Sequence, residues 1–448
     1  MSGAPPVRIP LVAPRPGAEV FAYTPHRTVT VREFVADVVA LAGRLPDRAY
    51  LVNLCTDRYR FTVGFGAALV RGQTSLLPPH RTPEFLRQLA ESHPGLYCLA
   101  DEPVEWCPLE AISYPEEHPA SAGEPAVPEI PSGQVAVIAF TSGTTGAPTP
   151  HPKPWGALAR GAIAEARALG LDRHPGATIV GTVPPQHMYG LESTVLLPLQ
   201  VRLAMHGGRP FYAGDVREAL AAVPAPRVLV TSPVHLRALE LDGTALPALE
   251  CIVSATAPLS ADAAARAEAR YGAPVLEIYG CTEAGMVASR RTTDGDPWQL
   301  LADVALRNDG EAWRAEGGHV AVPAKVTDLL EPLDERRFVL RGRVSDVVNV
   351  AGKRASLAGL TAQLLAIPGV VDGAFYLPDG NEGAPARLGA LVVAPGLTRR
   401  RLLEELRGRV DAAFLPRPLR LVDQLPRNAT GKLARHDLRA VVGGRAKR

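Results

Sequence analysis

Neither sign of charge dominates this sequence. Its 448 residues carry 48 Lys and Arg against 46 Asp and Glu, a formal net charge of +2 at pH 7. A protein built to grip nucleic acid or an anionic bilayer concentrates basic residues, so neither partner is expected. The short basic runs Arg399-Arg400-Arg401 and Arg445-Ala446-Lys447-Arg448 are intermixed with Leu or Gly and read as a solvated helix face and a terminus. Cysteine is scarce as well. Cys55, Cys98, Cys107, Cys251 and Cys281 are odd in number and lack paired spacing, which speaks against a disulfide framework or a zinc site and for a reducing compartment. Long apolar runs are missing: none approaches the ~18 residues of a membrane helix. Met1 to Pro16 is proline-rich without the apolar stretch of a signal peptide. A cytoplasmic protein is the expectation.

What is present is a globular balance, 46% hydrophobic and 21% charged, in a chain too long for one ordinary core. Val31 to Leu45 places apolar residues at helical spacing. Ala49 to Leu54 reads as a buried strand and Phe61 to Val70 as a second helix, and this alternation argues for α/β layering. Five prolines between Ser113 and Gln134 predict an exposed connector, followed by a buried strand from Val135 to Phe140. Composition shifts again near Arg341 to Ser345. Beyond it, strands at Ala374 to Leu377 and Leu388 to Val393 and a helix from Thr398 to Phe414 occupy about 100 residues, enough for a small domain. The expected fold is α/β: a large multi-subdomain N-terminal body, residues 1–342, and a small α+β C-terminal domain, residues 343–448.

Three loops carry candidate chemistry. The Val135 strand runs into Thr141-Ser142-Gly143-Thr144-Thr145-Gly146, whose free N–H groups and hydroxyls suit phosphate oxygens. No Gly-Lys-Ser/Thr closes it, so it is not a Walker loop, and a plain turn has the same composition. Tyr279-Gly280-Cys281-Thr282-Glu283 follows the apolar strand Val275 to Ile278. Its hydroxyl and carboxylate can meet a phosphate oxygen and a nucleotide-bound Mg²⁺, although an ordinary surface Glu fits too. Leu425 to Lys432 presents a single lysine in a turn, which taken alone reads as a solvated side chain.

These loops, in this order, resemble the adenylate-forming superfamily of acyl-CoA synthetases, aryl-acid ligases and peptide-synthetase adenylation domains. The likeness rests on the TSGTTG string, the YGxTE loop, the Gly342-Arg343 pair and the terminal Gly431-Lys432, and it runs from the N-terminal helix to Lys432. It implies an enzyme that uses ATP and Mg²⁺ to turn a carboxylic acid into an acyl-adenylate and then passes the acyl group to a thiol. By that resemblance Thr141, Ser142, Gly143, Thr144, Thr145 and Gly146 wrap the β- and γ-phosphates. Tyr279 lies along one face of adenine, with the backbone of Ser254, Ala255, Thr256, Ala257 and Pro258 on the other. Thr282 touches the α-phosphate, Glu283 ligates Mg²⁺, and Asp328 and Arg343 hold the ribose. Asp334 is a rival for the ribose, but Asp328 has the family's fifteen-residue distance to Arg343. Lys432 bridges the attacking carboxylate and the α-phosphate. The C-terminal domain is implied to be a mobile lid that carries Lys432, hinged at Ser345 between Val344 and Asp346. Val350, Ala351 and Gly352 are implied to line a pantetheine tunnel, with Arg354 nearby.

The sequence departs from the family in places. The lysine usual after the phosphate loop is Thr149 here, and Lys153 stands four residues on, beyond Pro150-His151-Pro152. The hinge position, ordinarily acidic or Lys, is Ser345, and Thr327 replaces the Gly before the ribose Asp. For the acid, Pro184 to Gly190 matches the family's acyl segment. His187 and Tyr189 are candidates to flank a planar ring, with Gly190 opening space and Gly280 nearby; the alternative is that His187 and Tyr189 simply pack in the core. The neighbouring string resembles ligases of aryl-polyene and xanthomonadin-type pigment pathways, which implies a hydroxybenzoate-like aryl acid passed to CoA or the phosphopantetheine of an acyl carrier protein. An aliphatic acid, an amine acceptor and a catalytically dead binding module remain the competing readings.

Overall fold

The computed structural model describes residues 7–115, 125–141, 149–343, 347–350, 353–378, 388–427 and 433. Two sheets organise the first three quarters of the chain. The first runs, across its width, Thr149–Pro154, Val135–Thr141, Thr74–Leu77, Tyr50–Asn53, Tyr97–Ala100 and Ala111–Ser113. All its neighbours are parallel except the Val135–Thr141/Thr149–Pro154 pair. The second has eleven strands. At its centre Thr178–Gly181, Arg227–Thr231, Cys251–Ser254 and Val275–Cys281 lie parallel, and Gly285–Arg291, Pro297–Leu300, Arg337–Arg343 and Asp328–Pro332 extend one side antiparallel. The central strands are buried on both faces, so they read as continuous apolar runs such as Val228-Leu229-Val230 and Cys251-Ile252-Val253.

Local chemistry sets the element ends. The Val31–Ala42 helix starts at a capping box, in which Thr30 accepts from Glu33 N–H and Glu33 returns the bond, and it stops at Gly43, short of Leu45. The second helix begins earlier than its apolar pattern, at Arg58, because Asp57 caps it. The proline-rich connector is not wholly exposed. Glu129–Pro131 pairs with Arg8–Pro10, and Tyr114 and Ile130 are buried, while residues 116–124 lie outside the described ones. The expected Thr398–Phe414 helix is shorter, Arg399–Arg407. It ends at Gly408, and a separate turn follows at Ala412–Phe414.

Residues from 348 onward build two hydrophobic clusters of their own around the strands Asp372–Tyr376, Gly389–Val393 and Leu419–Leu421. The largest cluster, by contrast, runs from Leu11 to Phe338 and joins both large sheets.

Within that large cluster the Trp155–Ala168 helix buries a carboxyl, Glu165, which accepts a 2.5 Å hydrogen bond from the Ser193 hydroxyl. Burial, aided by nearby Glu192, pushes Glu165 up from 4.5 to about 8. A carboxyl raised in the folded state stabilises the fold below its ordinary value and loses that contribution as pH rises through about 8. Glu165→Gln keeps the acceptor for Ser193 and removes the titration. Thermal melts are expected to show the variant's Tm falling less than wild type between pH 5.5 and 8.5, by about 2 °C or more. Identical falls would contradict this reading.

Candidate active site

The first wall of the site is the hairpin Val135–Thr141/Thr149–Pro154. Its return strand reads Thr-Pro-His-Pro-Lys-Pro, which for an edge strand is a period-two message. Proline has no N–H to donate, so Pro150, Pro152 and Pro154 take the alternate positions and leave Thr149, His151 and Lys153 to pair with the neighbour. Pro150 and Pro152 are exposed, His151 is half-buried and Lys153 is buried. His151 Nε2 lies 2.9 Å from the Thr141 hydroxyl and 3.7 Å from the Glu283 carboxylate. Burial lowers the His151 imidazole below its ordinary value against the pull of Glu283, which favours the neutral ring at neutral pH. Ser142, Gly143, Thr144, Thr145 and Gly146 lie outside the described residues.

The second wall is the turn from Val275–Cys281 into Gly285–Arg291. Two glycines make it possible. A Cβ on Gly280 would stand 2.3 Å from the Gly285 carbonyl, and Gly285 itself has φ +79°. The pairing register shifts between Tyr279 and Gly280, so the chain doubles back sharply and holds Cys281, Thr282 and Glu283 half-buried at its rim. Gly280 is thus small because of backbone approach, and its own surface is exposed.

Tyr279 is anchored beneath this turn. Its hydroxyl donates to Asp328 Oδ2 at 2.7 Å, and Trp298 and Phe338 flank the ring with centroids at 5.7 Å each. Asp328 pairs in register with Arg343 across a bulged hairpin, which is the geometric meaning of their spacing in the sequence. Asp334 sits at the exposed tip of the same hairpin, where it caps the Arg336 and Arg337 N–H groups and pairs with the Arg337 side chain. It is a turn residue, away from Tyr279's partner. One strand over, Ser254 stands in register with Glu277, which puts the following Ala255-Thr256 turn beside Tyr279. Thr256 has φ +82°, an uncommon conformation for a β-branched residue and one that tends to mark functional loops.

The acyl segment behaves differently from the expectation. His187 is half-buried at the start of the helical turn Met188–Leu191. Tyr189 is a core residue, its hydroxyl facing the Thr231 carbonyl at 2.9 Å and the Val253 carbonyl at 3.0 Å. Gly190 is small because the Pro184 carbonyl fills the space, at 2.0 Å from where a Cβ would be. So Tyr189 ties the segment to two strand ends and Gly190 closes its turn, in place of flanking a ring and opening room for one. A π-helical stretch, Glu192–Leu196, follows directly.

The sequence reading did not single out His151 or Glu192, and it left Lys153's direction open. Lys153 Nζ donates to the Glu283 backbone carbonyl. Burial lowers its ammonium, opposed by Glu192, Cys281 and Glu283. Glu192 keeps some solvent access, yet its enclosure pushes the carboxyl up to about 7, Lys153 pulling the other way. The alternating prolines were the available signal for which residues of this edge strand face inward. Nothing local marked Glu192.

Magnesium that arrives with a nucleotide needs one or two protein carboxylates, the rest of its shell being phosphate oxygen and water. Glu283, half-buried beside His151, which itself meets the Thr141 hydroxyl, fits that donor set. Among the described residues no group of three or more His, Cys, Asp or Glu forms a dedicated metal cage. No described helix is long and apolar enough to cross a membrane. Ser345, Gly352 and Lys432 lie outside the described residues.

Residues 47–307 match the model of the family described as AMP-binding enzyme. A 4-coumarate–CoA ligase of Halorhodospira halophila is 31% identical over 309 residues, covering 65% of this chain and 73% of that one. Another, from Rhodobacter capsulatus, is 33% identical over 298 residues, with 65% and 73% covered. Among solved structures, o-succinylbenzoate coenzyme A synthetase from Bacillus subtilis in complex with AMP superposes with a TM-score of 0.78 at 19% identity, over 94% of this chain and 95% of that chain, a likeness of fold.

The Tyr279–Asp328 hydrogen bond offers a direct check. Tyr279→Phe keeps the ring and removes its hydroxyl's bond to the Asp328 carboxylate, and a lost bond to a charged group costs about 1.5–3 kcal/mol. Calorimetric titration with AMP is expected to show affinity weakened about tenfold or more. An unchanged dissociation constant would detach this pair from the nucleotide site.

Proposed function

The chain belongs to the AMP-binding enzyme family and is an acid–thiol ligase, and on that premise we propose that its acid is aryl and hydroxybenzoate-like. In the first step the acid's carboxylate attacks the α-phosphorus of ATP, and pyrophosphate leaves with the acyl-adenylate held in place. In the second a thiol, that of CoA or of an acyl carrier protein's phosphopantetheine, attacks the acyl carbonyl and AMP leaves. The observation that carries this reading is the convergence of Thr141, the Tyr279–Glu283 loop and Asp328, from three separate stretches of sequence, through His151 and the Tyr279 hydroxyl.

The charge problem assigns the roles. A carboxylate approaching a polyphosphate is repelled, and the departing pyrophosphate gathers further negative charge. Glu283 holds the Mg²⁺ that comes with ATP, Thr282 donates to the α-phosphate, and the loop from Thr141 to Gly146 receives the β- and γ-phosphates. Tyr279 and the Ser254-Ala255-Thr256 backbone enclose the adenine, while Asp328 and Arg343 hold the ribose. Lys432, the ammonium of a mobile C-terminal domain spanning residues 343–448, bridges the two reacting oxygens. That domain then turns about Ser345 and opens the thiol path past Gly352.

The aryl reading draws support from the relatives, which are named for 4-coumarate, an aromatic acid. His187 stands half-buried at the head of the acyl segment, where an aromatic acid is proposed to lie. Pyrophosphate release measured with hydroxybenzoates, hydroxycinnamates, acetate and medium-chain fatty acids should favour the aryl acids by about tenfold or more in kcat/KM. Preference for the aliphatic acids would overturn the aryl reading and leave the ligase class standing. A second expectation separates the half-reactions. Lys432→Ala should lower adenylation by about a hundredfold or more, since its contact strengthens mainly in the transition state. Thioester formation from supplied acyl-adenylate should persist, and equal loss of both steps would contradict the role given to Lys432.

A further inference from the structure

Two segments 130 residues apart must hold a fixed spacing if the phosphate hairpin and the Glu283 carboxylate are to serve one nucleotide. The hairpin lies at the edge of the six-stranded sheet and the turn belongs to the eleven-stranded sheet, so no shared ladder sets their distance. Lys153 reaches from one to the other, its ammonium donating to the Glu283 carbonyl. On the other side of the same turn, Glu192 packs against the backbone, its Oε1 standing 2.5 Å from where a Cβ on Gly285 would be. The turn is therefore met on both sides by buried ionisable side chains: the Lys153 ammonium on the carbonyl of Glu283 and the Glu192 carboxyl against Gly285.

We propose that Lys153, with Glu192 as its counter-charge, is a positioning residue that fixes the Glu283 carboxylate against the phosphate hairpin. The inference rests on the reading of Glu283 as the carboxylate that meets MgATP. Packing alone does not explain an ammonium here. Lys153 is 8% exposed, and an apolar side chain of similar volume fills such a position without the several kcal/mol cost of removing a charge from water. Thr149, where the family usually keeps its lysine, is exposed and uncharged. In this chain the lysine is moved four residues inward and is directed at the turn that carries Glu283.

Lys153→Met keeps the stem and removes the charge, Lys153→Arg restores it, and Glu192→Gln tests the counter-charge without changing volume. For each variant, calorimetry gives AMP affinity without metal and the affinity for a non-hydrolysable ATP analogue across a Mg²⁺ series, and pyrophosphate exchange gives the Mg²⁺ needed for half-maximal rate. Lys153→Met is expected to bind AMP within about twofold of wild type while requiring about tenfold more Mg²⁺, with Lys153→Arg returning most of the difference. Glu192→Gln is expected to shift the same Mg²⁺ constant about threefold or more, with AMP binding unchanged, and it decides the matter if Lys153→Met does not fold. An unchanged Mg²⁺ response overturns the proposal, and so does a parallel loss of AMP and Mg²⁺–analogue binding, which marks mere structural support. Glu283→Gln separates the underlying reading: if that change leaves the Mg²⁺ response untouched, the role of Glu283 fails first, independently of Lys153.

Discussion

The site depends on one sharp reversal of the chain, the turn between Tyr279 and Met286. Its geometry is set by backbone contact: Gly280 against the Gly285 carbonyl leaves no room for a side chain, and Gly285 takes a backbone conformation that few other residues tolerate. Everything useful follows from where this reversal occurs. Tyr279, the last regular position before the shift in register, turns its hydroxyl to Asp328, and Thr282 and Glu283 come to the rim. The hairpin opposite meets them through His151 and Lys153.

Electrostatics then divides the region by depth. At the rim Glu283 is half-buried beside a His151 whose burial favours the neutral ring, so the carboxylate keeps capacity for a cation delivered with a nucleotide. Deeper in, Glu192 and Glu165 are raised to about 7 and about 8, because enclosure disfavours their charged forms. Lys153 sits between the two layers. Its neighbours act on it as opposing charges, which offsets part of the cost of burying it.

Much of this was legible in the sequence, for reasons that can be stated residue by residue. Strand-then-loop patterns located both walls, because a buried parallel strand is a continuous apolar run and its loop must begin where the apolar run ends. The fifteen-residue distance from Asp328 to Arg343 became a register pair in a hairpin, and Asp334 fell at that hairpin's tip. The α/β class held for the same reason of alternation. What stayed hidden depends on contacts between distant segments. The composition of Pro184 to Gly190 does not reveal that Tyr189 points at strand ends or that the Pro184 carbonyl claims the space at Gly190. Proline content marked the 113–134 connector as exposed, yet Ile130 is buried there in a short strand pair. Lys153's target lies 130 residues away on another sheet, beyond any local pattern.

The central claim is that this arrangement makes an acyl-adenylate. Its most direct test is a single turnover of the wild-type chain with ATP, Mg²⁺ and 4-hydroxybenzoate or 4-coumarate in the absence of any thiol, quenched in acid and resolved by mass spectrometry. The account predicts an aryl-adenylate in amounts approaching the enzyme present, with pyrophosphate released alongside, and its replacement by AMP and thioester once CoA is added. Formation of ADP and phosphate, or a thioester that forms on adding CoA when no adenylate had accumulated without it, would contradict it.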